Sequence, residues 1–477
     1  MRTLTFYSYK GGVGRTLASA NFAVYAARRG IRTAIVDFDL DAPGVASKLV
    51  GLLQEPRGPG LLDHILGFQE TGEAQFQLSE LAHEVPLATG SATLFAVPAG
   101  ALDATYFHRA PRLHWPRLFG PERDGVAFFQ AMLESFKDEL GVELLILDSR
   151  AGASEIAGIC THQLADEVII MASGASEDAR MVRHQVDTIR SSEVARILGK
   201  ARQVHVVLSR VPRNETGAPE RPRNDYGWGE GVNLRLIGAS PALAQAEFLA
   251  MVEPRRDPQL TQDYLELFGG LDVEVRPEAA DAQLRAIAAD LLSVPKPQSE
   301  VRLDALATVC PTAAMRLGIV RFHELGGEVE KAAAACWMLW RRSSPEERGA
   351  VEDTLLQLYV GNSDLLEPAR WEQAAFREER AAALVAIFGR AALWPLVARS
   401  AALAGHSLRP PQEWLALVGF LYMGDTKSAS ALSSSFDLRS MPDDGPEQLR
   451  KALEHRSPKV ISQVNTWLVD RLVGALA

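Results

Sequence analysis

The sequence has no basic excess, almost no cysteine and no long apolar run. Its 477 residues carry 50 Lys and Arg against 60 Asp and Glu, a formal net charge of −10. The strongly basic footprint of a nucleic-acid-binding chain is therefore missing. The three cysteines, Cys160, Cys310 and Cys336, stand far apart with no C-x-x-C pair. That spacing excludes a disulfide framework and a cysteine-built zinc or iron–sulfur site, and it fits a reducing cytoplasm. The opening residues, MRTLTFYSYKGG, lack the charged and long apolar regions of a signal peptide. No run approaches about 18 uninterrupted apolar residues, so no transmembrane helix is expected. His64, His83, His108, His114, His162, His184 and His205 show no metal-ligand spacing. No G-x-S-x-G elbow or catalytic Cys–His signature is present.

What remains is globular. Hydrophobic residues make up 47% and charged residues 23%, and a chain of this length exceeds one ordinary core, which predicts two domains or three. Residues 3–9 (TLTFYSY) read as a strand running into glycines. Thr16 to Arg29 has helical spacing and stops at Gly30, and Thr33 to Asp37 is a second apolar strand ending in acid. Strand, Gly-loop, helix, strand is a βαβ unit, which builds parallel sheets. Apolar runs at 94–98, 144–148, 167–171, 204–208 and 248–252 predict further strands, and 126–140 predicts a helix. The runs are continuous rather than alternating, as in strands buried on both faces. The fold expected for residues 1–290 is therefore α/β, a mostly parallel doubly wound sheet. Residues 54–60 and 212–232 read as loops, the second long enough to order on a partner. A linker is expected at 291–298.

Residues 299–477 lose the strand signal and predict an all-α domain without a clean repeat. Helices are expected over 299–308, 311–325, 328–342, 345–360, 367–388, 391–404, 411–422, 446–455 and 458–475. Trp337, Trp340, Trp371, Trp394 and Trp414 read as helical core or a partner groove. The last helix gathers Ile461, Val464, Leu468, Leu472 and Val473 near one face, with Trp467 beside it. Its basic complement is only Lys459 and Arg471. A capping helix of the α domain is favoured over a membrane-surface helix, which usually has a richer basic face.

The run KGGVGRT at residues 10–16 carries the strongest chemical signal. Phosphate needs several backbone N–H groups aimed at one place with no Cβ in the way. Gly11, Gly12 and Gly14 supply that freedom, and the following helix adds its positive N-terminal end. Thr16 offers a hydroxyl to Mg²⁺. Asp37, Asp39 and Asp148 sit at the C-terminal ends of predicted parallel strands, where ligands bind in open α/β sheets.

This loop resembles the K-G-G-x-G-K-[ST] deviant Walker A of the ParA/MinD ATPases, within the group that includes nitrogenase iron protein and arsenite-pump ATPases. Val36 to Asp41 (VDFDLD) resembles the family's D-x-D segment, and Leu144 to Gly152 (LLILDSRAG) its Walker B strand and switch. Ala96 to Gly100 (AVPAG) and Ala165 to Ile170 (ADEVII) resemble the strands between. The resemblance covers roughly residues 1–290 and implies ATP and Mg²⁺ as ligands. It gives Lys10 the role of the signature lysine, reaching a partner's phosphates across a nucleotide-sandwich homodimer. It assigns Asp39 to positioning the attacking water, Asp37 to supporting the Mg²⁺ shell, and Asp148 and Thr16 to holding the metal. Nucleotide contacts fall on Gly11, Gly12, Val13, Gly14, Arg15, Thr16 and Leu17, on Ser209 and Arg210 after a later strand, and on Pro254 in a base-lining loop.

Two positions depart from the pattern. Arg15 stands where the family has lysine, and its planar fork is not a conservative replacement. A variant subset combines K-G-G-V-G-R with D-x-D-x-x-A-P-G, which Asp39 to Gly44 (DLDAPG) fits. Arg15 is therefore grouped with Asp39 and Lys10 as catalytic, with slow turnover expected. Ser209 stands where the family often has an adenine-reading Asn, so ATP is less firmly separated from GTP. The expectation is a slow, cytoplasmic ATPase acting as a dimerisation switch that signals through residues 299–477 to a protein partner. The alternative is an inactive or slow nucleotide-binding module, a scaffold or sensor in signalling or phage defence. DNA is a less favoured partner, left open by Arg210, Arg213, Arg221 and Arg223.

Overall fold

The apolar runs do not alternate because both faces of one sheet are covered. The computed structural model describes all residues except 50, 54–57, 74–77, 88–89, 121–122, 174–175, 198, 200–202, 214–232, 291–295, 372–375, 406, 434–441 and 477. Two compact units are present, Met1–Met315 and Arg316–Ala477. The first includes the helix Lys296–Val309, which sequence reading placed after a linker at 291–298. Residues 291–295 of that linker, and 214–232 of the long loop, lie outside the described residues.

The first unit is an eight-stranded sheet in the order β3-β4-β2-β5-β1-β6-β7-β8. The strands are β1 Arg2–Ser8, β2 Thr33–Asp37, β3 His83–Val85, β4 Leu94–Val97, β5 Leu144–Asp148, β6 Glu167–Ser173, β7 Gln203–Val211 and β8 Asn233–Gly238. Neighbours pair in parallel except β3, which runs antiparallel along β4. On one face Val36, Leu147 and Val97 pack with Leu62, Ile65, Phe128 and Phe129 from the helices Leu61–Thr71 and Gly125–Asp138. On the other, Phe6 meets Phe22 of α1 (Arg15–Arg28), which packs at a tilt against Phe268 of the helix Pro258–Gly269. Each fully buried Leu, Val or Phe contributes about 1.5–3 kcal/mol, so this two-sided burial fixes strand register.

One expected strand is corrected. Residues 248–252 form a buried turn, and the last strand is β8. Phe248, Leu249, Ala250 and Met251 are at most 5% exposed, so the apolar run reported burial, not extension. The turn's polar groups go to α1 instead: Met251 N–H donates to Asn21 Oδ1 at 3.0 Å, and Arg28 Nη1 donates to Met251 O at 2.8 Å.

The second unit is all-helical. Among its helices are Val329–Arg342, Pro345–Gly361, Arg377–Arg390, Trp394–Ala404 and Pro410–Met423, closing on one core. The helix expected over 367–388 appears as Pro368–Trp371 and Arg377–Arg390, with 372–375 outside the described residues. Thr426–Ser433 is a helix that sequence reading passed over. Trp337 is buried and donates Nε1–H to the Tyr359 hydroxyl at 3.0 Å; Trp394 and Trp414 are also buried. In the final helix, Pro458–Leu476, Val464 is buried and Trp467 Nε1 donates to Ser430 Oγ at 2.8 Å. No helix of the described residues is long and apolar enough to cross a membrane.

Gly60 shows how tightly the β4 end is built. Leu61 N–H and Leu62 N–H donate to Pro98 O and Ala99 O at 3.0 and 2.9 Å. A Cβ on Gly60 would lie 2.4 Å from Gly100 backbone atoms. Gly60→Ala is expected to destabilise by about 1–3 kcal/mol, read as a lower urea midpoint. Gly67→Ala, where an added Cβ meets nothing within 4 Å, should leave the midpoint unchanged or raise it.

Candidate functional site

The glycine loop joins β1 to α1 at the C-terminal edge of the sheet. Gly12 and Gly14 have φ of 76° and 78°, the left-handed region that a Cβ disfavours. An added Cβ at Gly11, Gly12 or Gly14 would meet nothing within 4 Å. The cradle is open, and no side chain caps the α1 N-terminus. Backbone donors and the positive end of a 14-residue helix are thus left for an anion.

Beneath the loop lie two wholly buried carboxylates. Asp37 and Asp148 end adjacent strands and are register partners. Asp37 accepts three backbone N–H groups: Asp39 at 3.1 Å, Gly44 at 2.8 Å and Val45 at 2.9 Å. Those bonds fold residues 38–45 back over the strand end. The Tyr106 hydroxyl pins the same segment by donating to Leu40 O at 2.7 Å, and Arg150 pairs with Asp41. Asp148 accepts from Thr16 Oγ1 at 2.7 Å and from Ser19 Oγ at 3.3 Å.

Arg15 spans the two strand ends. Its Nε donates to Asp148 Oδ1 at 3.1 Å, its Nη2 to Asp39 Oδ2 at 2.8 Å, and its Nη1 to Ser8 Oγ at 3.4 Å. Burial opposes the guanidinium charge, but Asp148 and Asp39 outweigh that and hold its pKa above the ordinary value. A lysine ammonium could not present this fork. Burial, and to a smaller degree Asp148, pushes the Asp37 carboxyl well above the usual carboxylate range, with its three N–H donors pulling back. Burial likewise raises Asp148 against the pull of Arg15 and Thr16.

The loop opens into a cleft of about 630 Å³. Gly11, Gly12, Val13, Gly14, Arg15, Thr16, Leu17, Asp39, Ser209 and Arg210 all line it, so ten sequence-expected residues converge. Lys10 is exposed on the loop. Pro254 is not among the lining residues; its carbonyl accepts from Thr261 Oγ1 at 3.0 Å. The rest of the cleft is lined instead by Ile237 to Ser240, Leu243 and Tyr264, together with Lys48 and Glu247. Sequence reading missed these, because neither Lys48 nor the residues from the end of β8 onward carry a local motif. Ser209 Oγ donates to Val13 O at 2.7 Å, with Ala172 O at 3.3 Å, so its proton is committed to backbone. Arg210 has φ of 56° at a register shift between β7 and β8.

A nucleotide fits this donor set. The glycine cradle matches phosphate, and Thr16 with Asp148 offers the hard oxygen ligands that Mg²⁺ prefers. The sequence model for the CobQ/CobB/MinD/ParA nucleotide-binding domain matches residues 4–301. Among solved structures, the chain is similar to Pyrococcus horikoshii OT3 MinD complexed with Mg-ADP, at 18% identity over 57% of this chain and 96% of that one, with a TM-score of 0.40. It is also similar to the Aquifex aeolicus MinC:MinD complex (17%, 58% and 98%, 0.40) and to Cyanothece apo McdA (17%, 57% and 99%, 0.43). No curated protein matches the sequence.

The Asp37 shift has a definite sign. A carboxyl whose pKa is raised on folding stabilises fully below its unfolded pKa, and that stability is lost as the pH climbs through the folded value. Without nucleotide and Mg²⁺, the melting temperature is expected to fall as the pH rises from about 4 toward neutrality. Asp37→Asn should flatten that slope, which melting curves at stepped pH measure.

Proposed function

Because the chain belongs to the CobQ/CobB/MinD/ParA nucleotide-binding domain family, we propose that it is an ATP- and Mg²⁺-dependent P-loop ATPase whose nucleotide state controls pairing of two copies. Residues 299–477 would report that state to a protein partner. One observation carries the nucleotide reading. An open glycine cradle feeds an uncapped helix, and at its base Thr16 touches a buried strand-end carboxylate.

Each residue then has a physical task. Backbone N–H groups from Gly11 to Thr16, continuing to Leu17, bind the phosphates. Thr16 and Asp148 hold the metal, and Asp37 stiffens the loop above it through its three N–H bonds. Bound Mg²⁺ would neutralise charge on the transferring phosphoryl group. Asp39 orients the attacking water, and Arg15 ties Asp39 to Asp148. Lys10, exposed on the loop, reaches the phosphates of a second copy. Size-exclusion chromatography with light scattering should show a dimer with Mg-ATP and a monomer with Mg-ADP. Lys10→Ala should abolish the dimer while retaining nucleotide binding. If wild type and Asp39→Ala both ignore ATP, the switch fails.

A second reading is a slow or inert nucleotide-binding module, a scaffold or sensor. The Arg15 fork favours it, since Arg15 is aimed at Asp39 and Asp148. Arg15→Lys separates the two. If the site is built around arginine, turnover should fall about tenfold, or ~1.4 kcal/mol of barrier, because one ammonium cannot bridge both carboxylates. A rise would mark Arg15 as a brake.

A further inference from the structure

The cleft also holds an ion pair that the phosphate chemistry does not use. Lys48 ends the short helix Val45–Lys48, and its Nζ lies 2.6 and 2.5 Å from the two carboxylate oxygens of Glu247. Both residues line the cleft. They come from separately anchored walls. The Lys48 side is tied down by the Gly44 and Val45 N–H groups on Asp37. The Glu247 side leads into Met251, clipped to Asn21 and Arg28 of α1. Exposed ion pairs contribute little stability by themselves.

We propose that Glu247 is the ribose-binding carboxylate of this cleft and that Lys48 is its counter-charge. The inference rests on the nucleotide reading above. The glycine loop fixes the phosphates at one end, and Ile237, Leu243 and Tyr264 offer an apolar wall for a base. Covalent structure places the ribose between them. Leu17, the first residue beyond the phosphate-binding loop, lines an adjoining hollow of about 420 Å³ together with Lys48 and Glu247. Among the described lining residues the carboxylates are Asp39 and Glu247, and Asp39 is engaged by Arg15 at the phosphate end. A vicinal diol presents two O–H donors, and one carboxylate can accept both. A bare carboxylate would repel a polyphosphate; Lys48 cancels that charge. The Glu247 side chain is 60% exposed, so the ammonium leaves acceptor sites accessible.

Isothermal titration with unlabelled nucleotides tests this, since labels on the ribose would block the contact. With Mg²⁺, the full chain is expected to bind ATP about tenfold tighter than 2′-deoxyATP, as for a hydrogen bond to a charged group. Glu247→Gln should bring the ratio to about twofold or less with little change for 2′-deoxyATP, its fold checked by an unchanged melting temperature. Lys48→Met should weaken both nucleotides several-fold and keep the ratio. Equal wild-type affinity for the two, or an unchanged ratio in Glu247→Gln, overturns the assignment. Wild-type binding of neither overturns the nucleotide reading itself, and this inference with it.

Discussion

Two carboxylates buried side by side at neighbouring strand ends set the terms for everything around them. Asp37 and Asp148 are register partners and fully enclosed. A buried charge without partners is strongly destabilising, so each has drawn a separate set of donors. Asp37 takes backbone N–H groups, and the 38–45 segment bends to deliver them. Asp148 takes side chains from the first turns of α1, so the helix must begin where Arg15, Thr16 and Ser19 reach it. The open glycine loop is what remains between a strand and a helix whose positions are both dictated from below.

Much of this was legible in the chain. KGGVGRT, the acids at 37, 39 and 148, and the apolar runs of the central strands all predicted their places. They did so because each is a local signal: glycine for backbone freedom, acid at a strand end, unbroken apolarity for two-sided burial. The residues 248–252 defeated the same logic. Their run is as apolar as a strand, but Asn21 and Arg28 satisfy its backbone from a helix more than two hundred residues earlier. Periodicity carries no record of such distant donors.

The rest of the cleft was illegible for a related reason. Ile237 belongs to β8 itself and Leu243, Glu247 and Tyr264 to the segments after it, and only folding assembles them. Ser209 illustrates a subtler loss. Sequence showed that it could not mimic an amide; the structure shows that its hydroxyl serves the loop backbone at Val13. The departure that looked like a weakened base contact is a support under the glycine loop.

The far end of α1 has a mechanical consequence. Successive carbonyls there are each claimed by a different distant group: Ala27 by Ala92 N–H, Arg28 by Gln283 Nε2 and Cys310 Sγ, Arg29 by Arg276 N–H, and Gly30 by Arg276 Nη1. A helix held in this way cannot slide or rotate about its axis without breaking several bonds together. It behaves as a ruler of fixed length, with its zero mark at the glycine loop. Any displacement imposed on that mark must either carry Arg276, Gln283 and Cys310 with it or break the bonds they make.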